Sequence, residues 1–276
     1  MSPTDRRALY GVDHAIIGSL SGMAEVLIQQ PTVYVKNALQ QGQPLVFQPK
    51  VMYRGVGINC LSIAPICAVQ FAANGVLGRY ISPDDDIGRI LTAMVAGALS
   101  SLLSSPAELV MTLQQRTGQS IGSTVQEIVK SHGITRLYRG LPLTMFREAS
   151  WCACYLALGP VVSTKLHHLF PNTFGEKNTA TTAQKTWAAM GGSIAAGLVA
   201  VLASQPIDTL KTIVQGNALD KAAPSLTNQA KQVWNKGGMN LYYKGTVPRG
   251  IRLIGAVFIM SGTKEYLEDK FSSYGV

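Results

Sequence analysis

Long apolar runs dominate the pattern of this chain. Two further runs, one near each end, carry Glu25 and Arg252, and a charge within a membrane span usually faces a bundle interior or a watery pathway. Four stretches contain no charged residue at all, and their lengths approach the ~20 residues that a helix needs to cross a bilayer: residues 55–78, 90–107, 149–164 and 186–207. The pattern predicts six spanning helices, at residues 13–40, 56–79, 87–115, 142–168, 183–215 and 247–270.

One ten-residue motif occurs three times, each time at the end of an apolar run. Every copy begins with proline and has glutamine in the tenth place: PTVYVKNALQ from Pro31, PAELVMTLQQ from Pro106 and PIDTLKTIVQ from Pro206. Proline bends a membrane helix, and neighbouring helices can satisfy the backbone groups that it leaves free. We therefore predict helix kinks at Pro31, Pro106 and Pro206.

Small residues and a short triplet extend the motif in both directions. Nine and thirteen residues before each proline are small residues, in the pairs Gly18 and Gly22, Ala93 and Gly97, and Ser193 and Gly197. Small residues four apart let helix backbones approach closely in a bilayer. After each motif comes an aromatic residue, a basic residue and a glycine: Tyr53-Arg54-Gly55, Tyr138-Arg139-Gly140 and Tyr243-Lys244-Gly245.

The repeating unit is an apolar helix, a polar connection and a second apolar helix, so three units account for six helices. Amphipathic stretches at residues 123–131 and 226–235 predict surface helices in the second and third connections. The first connection, residues 41–52, is short and contains Pro44 and Pro49, so we expect it to be extended. We expect a single domain over residues 1–276, with repeats at residues 13–80, 87–168 and 183–270.

Composition favours a membrane protein and argues against a nucleic-acid binder. Only 14% of the 276 residues are charged, which is low for a soluble domain, and the mean hydropathy is positive. The net charge is +9, but the basic residues are not clustered in an arm or an RNA-binding motif. Many lie in the connections within repeats, as a positive-inside bias predicts: Lys50, Arg54, Arg116, Lys130, Arg136, Arg139, Lys231, Lys236 and Lys244.

The cysteines and histidines do not form a recognisable metal or catalytic site. The four cysteines lie in apolar runs and lack the paired spacing of a zinc site: Cys60, Cys67, Cys152 and Cys154. The four histidines have no nucleophile or carboxylate partner at motif spacing. We therefore expect no catalytic residue, no metal and no cofactor.

The three motifs, with their acids, bases, trailing glutamines and aromatic-basic-glycine triplets, resemble the mitochondrial carrier family. The resemblance covers nearly the whole chain. It implies an all-α membrane protein with six transmembrane helices in three pseudo-symmetric repeats around a central cavity. It also implies a transporter rather than an enzyme, spanning the mitochondrial inner membrane several times, with both termini toward the intermembrane space.

In that family the acid of each motif pairs with a base of the next repeat and closes the matrix end. By resemblance, the pairs here are Asp208 with Lys36, Glu108 with Lys211, and Val33 with Met111. The last pair has lost both charges together, which is favourable because one charge left alone in a desolvated ring costs more than two apolar side chains in contact. The alternative is that Val33 and Met111 face lipid. Three glutamines would brace the pairs through their amide groups: Gln40, Gln115 and Gln215.

The resemblance places substrate contacts seven and eight residues after each triplet glycine. These positions hold Ser62 and Ile63, Arg147 and Glu148, and Arg252 and Leu253. Arg147 and Arg252 are candidates for binding a carboxylate, because a guanidinium offers a charged fork. Arg249 lies one helical turn from Arg252 and is expected to share its face. The alternative is that these arginines pair within the bundle or extend to the interface.

Two features point to different substrates. Glu25, the first motif and the stretch from Tyr243 to Arg249 are similar to the tricarboxylate and oxodicarboxylate branch, which favours a substrate such as oxoglutarate, malate or citrate. Arg147-Glu148 instead resembles the Arg-acid pair of amino-acid carriers, since an acid beside the arginine can meet an ammonium group. A third reading, a carrier-like scaffold without transport, remains open because the second ion-pair network of the family is nearly absent. We expect a small-molecule substrate and a lipid bilayer as partners, including cardiolipin at the basic residues of the connections, in a monomer that binds no nucleic acid.

Overall fold

The computed structural model describes residues 11–78, 80, 86–176, 179–220 and 224–273. Its long helices are α1 (Gly11–Gln41), α3 (Val56–Leu77), α4 (Asp86–Thr117), α6 (Leu141–Cys152) with α7 (Gly159–Leu169), α9 (Thr182–Gly216) and α11 (Thr246–Ser273). The shorter helices are α2 (Pro49–Met52), α5 (Ile121–His132), α8 (Pro171–Phe174) and α10 (Leu226–Tyr242). These bounds lie within three residues of the six predicted spans.

The long helices form a closed ring around a central space. Within each repeat the two helices pack together, as α1 with α3, α4 with α6, and α9 with α11. Between repeats α3 packs on α4, α6 and α7 pack on α9, and α11 packs on α1. This arrangement is the predicted all-α carrier fold, in three repeats.

Three stretches within the described residues are long and apolar enough to cross a membrane by hydropathy alone: Pro49–Leu77, Ile87–Thr117 and Thr182–Gly216. The polar character of α1 has a structural reason, because its buried face carries Glu25, Gln29, Gln30, Asn37 and Gln40. Polar side chains that face the centre of a bundle lower the hydropathy of a spanning helix without exposing charge to lipid.

The helix predicted at residues 142–168 is interrupted. A π-helical segment, Ala153–Leu158, separates α6 from α7. Pro160 follows immediately, and because it has no N–H to donate, the preceding turn loses one backbone hydrogen bond and widens. Beyond it, α7 meets α9 backbone to backbone, since a Cβ on Gly192 would lie 2.5 Å from the Gly159 carbonyl oxygen.

The connections agree with the predicted asymmetry between repeats. The second and third contain the surface helices α5 and α10, and α10 bends at Gly238, where φ is +54°. The first contains only the single turn α2, and residues 43–48 are not helical. The Tyr34 hydroxyl accepts a hydrogen bond from the Val46 N–H at 3.0 Å, which ties this extended segment to α1.

Glycine is required in each triplet. Gly55, Gly140 and Gly245 have φ of +80°, +86° and +83°, a conformation that side chains other than glycine adopt at a cost. Each lies against the first helix of the following repeat, near Met111, Val214 and Gln40 respectively. The triplets therefore start α3, α6 and α11 at the same level of the ring.

Candidate functional site

Two acid-base pairs lie between neighbouring repeats, near the end of the ring where the motif prolines are found. Lys36 Nζ on α1 lies 2.6 Å from Asp208 Oδ2 on α9. Lys211 Nζ on α9 lies 2.8 Å from Glu108 Oε2 on α4. The side chains of Asp208 and Lys211 are only 2% and 5% exposed. The structure thus brings together the residues that the resemblance paired, and we call them the ion-pair layer.

The third position of this layer is apolar. Val33 is 5% exposed and Met111 is 9% exposed, and both line the same central cavity as the ion pairs. Neither residue faces the outside of the ring, where lipid would lie. Val33 and Met111 therefore occupy the position of an ion pair inside the bundle, and they do not lie on its lipid-facing surface.

Arg147 lies within the ion-pair layer. Its Nη2 donates to both Glu108 Oε1 and Glu148 Oε1, and its Nε lies 3.7 Å from Asp208 Oδ1. Glu148 Oε2 also accepts a hydrogen bond from Gln70 Nε2 at 3.3 Å. The two predicted substrate ligands of α6 are thus paired with each other and with the acid of α4.

Arg249 and Arg252 line the same cavity from α11. Arg252 Nη2 lies 3.2 Å from Glu25 Oε1, and the Arg252 side chain is 40% exposed. Arg249 instead donates to neutral groups of α9, namely Ser204 Oγ at 2.9 Å and Gln205 Oε1 at 3.1 Å. The predicted shared face of Arg249 and Arg252 is present, but their partners differ in charge.

The other predicted contact positions are placed differently. The Ser62 hydroxyl donates to the Asn59 carbonyl of its own helix at 2.9 Å, and among the described residues it does not line the cavity that holds the arginines. Ile63 and Leu253 pack against glycines, since a Cβ would lie 2.9 Å from Ile63 Cγ2 at Gly22 and 2.5 Å from Leu253 Cδ1 at Gly197. These positions join the two helices of a repeat, because the small glycine leaves space that a neighbouring side chain fills.

The predicted glutamine braces do not behave alike. Gln40 Nε2 donates to Asp208 Oδ2 and to Thr209 Oγ1, each at 3.1 Å. Gln115 Oε1 accepts from Asn37 Nδ2 at 2.6 Å, next to the apolar position. The Gln215 side chain is fully buried, and neither of its amide atoms has a hydrogen-bond partner among the described residues. Within the described residues, Gln40 is the only one of the three glutamines that hydrogen-bonds to a residue of an ion pair.

Sequence reasoning missed the residue that precedes each motif proline. Gln30 Nε2 donates to the Arg54 carbonyl and Gln205 Nε2 to the Lys244 carbonyl, both at 2.9 Å. In the first and third repeats, these bonds fasten the triplet to the helix that carries the motif proline of the same repeat. Ser105, in the second repeat, has a buried hydroxyl without a hydrogen-bond partner among the described residues. The repetition of Gln-Pro at two of three prolines was the available signal.

Three arginines at the second connection donate hydrogen bonds to backbone carbonyl groups at the third connection. Arg136 donates to the Ala218 and Asp220 carbonyls at 2.7 and 2.9 Å, Arg139 donates to the Pro224 carbonyl at 3.0 Å, and Arg116 donates to Gly216. Their guanidinium groups hold the second repeat against the third. Carbonyl groups at the C-terminal end of a helix attract such donors because they have no hydrogen-bond partner within the helix.

The cavity contains about 470 Å³ of empty space, open solvent included. It is lined by Val33, Lys36, Asn37, Glu108, Met111, Thr112, Arg147, Asp208, Lys211, Pro248, Arg249 and Arg252.

Comparison with known proteins supports the family resemblance. The family model described as "Mitochondrial carrier protein" matches residues 83–168 and 182–275. A putative mitochondrial tricarboxylate transport protein of Caenorhabditis elegans is 27% identical over 278 residues, covering 89% of this chain and 86% of that protein. The mitochondrial 2-oxodicarboxylate carrier 1 of Saccharomyces cerevisiae is 24% identical over 295 residues, covering 92% and 91%.

A third relative differs in length. The mitochondrial adenyl nucleotide antiporter of Mus musculus is 26% identical over 221 residues, covering 76% of this chain and 45% of that protein. The chain therefore spans less than half of the antiporter but about nine-tenths of the other two relatives. The names of these relatives include several substrate classes.

Proposed function

Since this chain belongs to the mitochondrial carrier family, we propose that it exchanges small carboxylate-bearing metabolites across the mitochondrial inner membrane by alternating access. The observation that carries the proposal is the cavity into which Arg147, Arg249 and Arg252 project beside the ion-pair layer. Guanidinium groups in a site shielded from water bind carboxylates strongly. Transport of this kind requires no covalent chemistry.

The ion-pair layer supplies the closed end of the transport path. Asp208 and Lys211 are buried there, whereas Arg252, nearer the other end, is 40% exposed. We propose that Lys36, Asp208, Glu108 and Lys211, with Val33 and Met111, form the matrix gate. Rocking of the three repeats about the central site, at Pro31, Pro106 and Pro206, would break this layer, open the matrix end and close the opposite side. The placement of both termini in the intermembrane space falls on residues outside the described part of the chain.

Two substrate classes have specific support. Dicarboxylates and tricarboxylates, such as oxoglutarate, malate or citrate, are favoured by likeness to the carriers of that branch and by three arginines in one cavity. An amino acid is favoured by Glu148, whose carboxylate lies against Arg147 and can take part in binding an ammonium group. We propose a monomer in a bilayer as the working form, with cardiolipin at the connection lysines.

The test is exchange by the purified chain reconstituted into liposomes. Vesicles loaded with an unlabelled carboxylate should take up labelled malate, oxoglutarate, citrate or glutamate, and empty vesicles should not. Arg252→Gln should abolish most of the uptake because it removes a cavity cation, whereas Lys165→Gln, at an exposed position of α7, should not change it. Absence of uptake for every carboxylate, in protein that is folded by circular dichroism, would favour a non-transporting scaffold.

A further inference from the structure

The charged groups around the cavity match one another almost completely. Asp208 and Glu108 line the cavity, whereas Glu148 and Glu25 do not line it but pair with arginines that do. Each of these four carboxylates can be assigned a different cation. The assignments are Asp208 with Lys36, Glu108 with Lys211, Glu148 with Arg147, and Glu25 with Arg252. Four carboxylates are thus balanced by four cations.

Arg249 is the cation left over. It lines the same cavity, and its guanidinium donates to Ser204 Oγ, Gln205 Oε1 and the Val201 carbonyl, which are all neutral. No carboxylate oxygen among the described residues lies within the 4.0 Å that defines an ion pair. Within the described part of the chain, the cavity together with the two carboxylates that pair with its arginines therefore carries one more positive than negative charge.

A surplus charge in a shielded cavity selects its ligand by charge. A ligand with one negative charge neutralises the site, whereas a ligand with two or three leaves negative charge uncompensated in a medium that solvates it poorly. A second carboxylate would also have to compete with Glu108, Glu148 or Glu25 for an arginine that is already paired.

We propose that the transported solute carries one net negative charge and that Arg249 holds its carboxylate. This inference rests on the proposed transport function and narrows it. Among the candidate classes, it selects an acidic amino acid, with two carboxylates and one ammonium group, or a monocarboxylate, over fully ionised malate and citrate. For an acidic amino acid, the ammonium group can pair with Glu148 or Glu25, and the arginine that this carboxylate held, Arg147 or Arg252, is then released to the second carboxylate.

The experiment measures dissociation constants of the purified full-length chain in detergent at pH 7, by thermal shift and calorimetry. The probes are glutamine, glutamate, pyruvate, malate and citrate, with net charges of about 0, −1, −1, −2 and −3 from their ordinary pKa values. The unmodified chain should bind glutamate or pyruvate about tenfold more tightly than malate or citrate. Comparison of glutamate with pyruvate distinguishes an acidic amino acid from a monocarboxylate.

Variants that change the net charge of the cavity should change which ligand charge the protein binds most tightly. Glu25→Gln frees Arg252 and should shift the preference about tenfold toward malate. Arg249→Gln balances the cavity and should remove the preference for glutamate over glutamine, while Arg249→Lys keeps the charge and should keep the order. The matched control is Glu127→Gln, because Glu127 lies on α5, where it accepts from Gln119 Nε2 at 2.8 Å, and it does not belong to the cavity.

The outcomes separate this inference from the function on which it rests. If carboxylates bind but the unmodified chain prefers malate or citrate, or if Glu25→Gln and Arg249→Gln leave the order unchanged, the inference is wrong and the carboxylate carrier stands. If no carboxylate binds to the folded protein, both are wrong.

Discussion

The Arg147 guanidinium and the Lys211 ammonium group share one carboxylate, that of Glu108. Arg147 donates to Glu108 Oε1, while Lys211 Nζ donates to Oε2 at 2.8 Å. Arg147 projects into the cavity, and Lys211 belongs to the layer that we propose closes one end of it. A ligand that takes Arg147 from Glu108 therefore weakens the closure at the same moment. We infer that Arg147 couples ligand binding to opening of this end.

The first prediction concerns Glu108→Gln. This variant removes the charged partner that Arg147 and Lys211 share, so the protein without ligand should unfold at a lower temperature. Arg147 then keeps Glu148 but loses its other close carboxylate partner and is more available to an anion, so the dissociation constant for a carboxylate ligand should fall by roughly tenfold, which is about 1.4 kcal/mol. Thermal-shift titrations give both quantities.

Asp208→Asn is the matched control for that variant. It also breaks one ion pair and raises the charge of the cavity by one, but Asp208 Oδ1 is 3.7 Å from Arg147 Nε, and Arg147 keeps both of its closer partners. The gain in anion affinity should be smaller than for Glu108→Gln. Equal gains in the two variants would show that cavity charge alone matters and that Arg147 has no coupling role.

The spacing of the repeats in the sequence was enough to predict most of the fold and part of the site. The helix expected at residues 183–215 is Thr182–Gly216. Asp208 meets Lys36 as the family resemblance implied, and a threefold repeat places such equivalent residues at one level. The contact of Arg147 with Glu108 joins residues 39 apart on different helices and depends on side-chain rotamers. Spacing indicates the level of a residue in the ring but cannot say which of several acids at that level its side chain reaches.

The second prediction concerns the close contact between α4 and α6. A Cβ on Gly97 would lie 2.4 Å from the Glu148 carbonyl oxygen and 3.0 Å from Ala149 Cα. Backbone atoms cannot rotate away, so Gly97→Ala should push α6 outward and destabilise the protein by about 1–3 kcal/mol, as overpacking usually does. Displacement of Arg147 and Glu148 should also weaken anion binding. Both effects are measured by thermal shift with and without ligand.

Gly18→Ala provides the comparison. Gly18 is a small residue of the same motif on α1, but among the described residues nothing lies within 4 Å of its Cβ position. Alanine favours a helix over glycine by up to about 1 kcal/mol, so the melting temperature should stay the same or rise. A decrease as large as that of Gly97→Ala would mean that loss of glycine flexibility, and not the contact with α6, is responsible.

The third prediction separates two roles of the glutamines before the prolines. Gln205 donates to the Lys244 carbonyl and accepts from Arg249 Nη1 at 3.1 Å. Gln30 donates to the Arg54 carbonyl and accepts from Asn59 Nδ2 at 3.1 Å. Gln205→Ala and Gln30→Ala should each cost about 1–3 kcal/mol of stability, because each leaves buried polar groups unpaired.

Only Gln205→Ala should also weaken carboxylate binding, since Arg249 then loses a neighbour that orients its guanidinium. The measurement is the ligand dissociation constant of each variant relative to the unmodified chain. Equal dissociation constants in the two variants would show that Gln205 does not position Arg249. A loss of affinity in Gln30→Ala would indicate that loosening any triplet weakens binding.

The last prediction restores the third ion pair. Val33 and Met111 are buried, at 5% and 9% exposure, and they occupy the motif positions of Asp208 and Lys211. Val33→Asp or Met111→Lys alone places an unpaired charge in the ring and should destabilise it by several kcal/mol. The double variant pairs the charges, so its melting temperature should exceed that of either single variant. It should also exchange substrate more slowly than the unmodified chain, because a third ion pair must break before this end opens. Additive losses of stability in the double variant would show that the two side chains do not meet and that the apolar position is not a member of the gate.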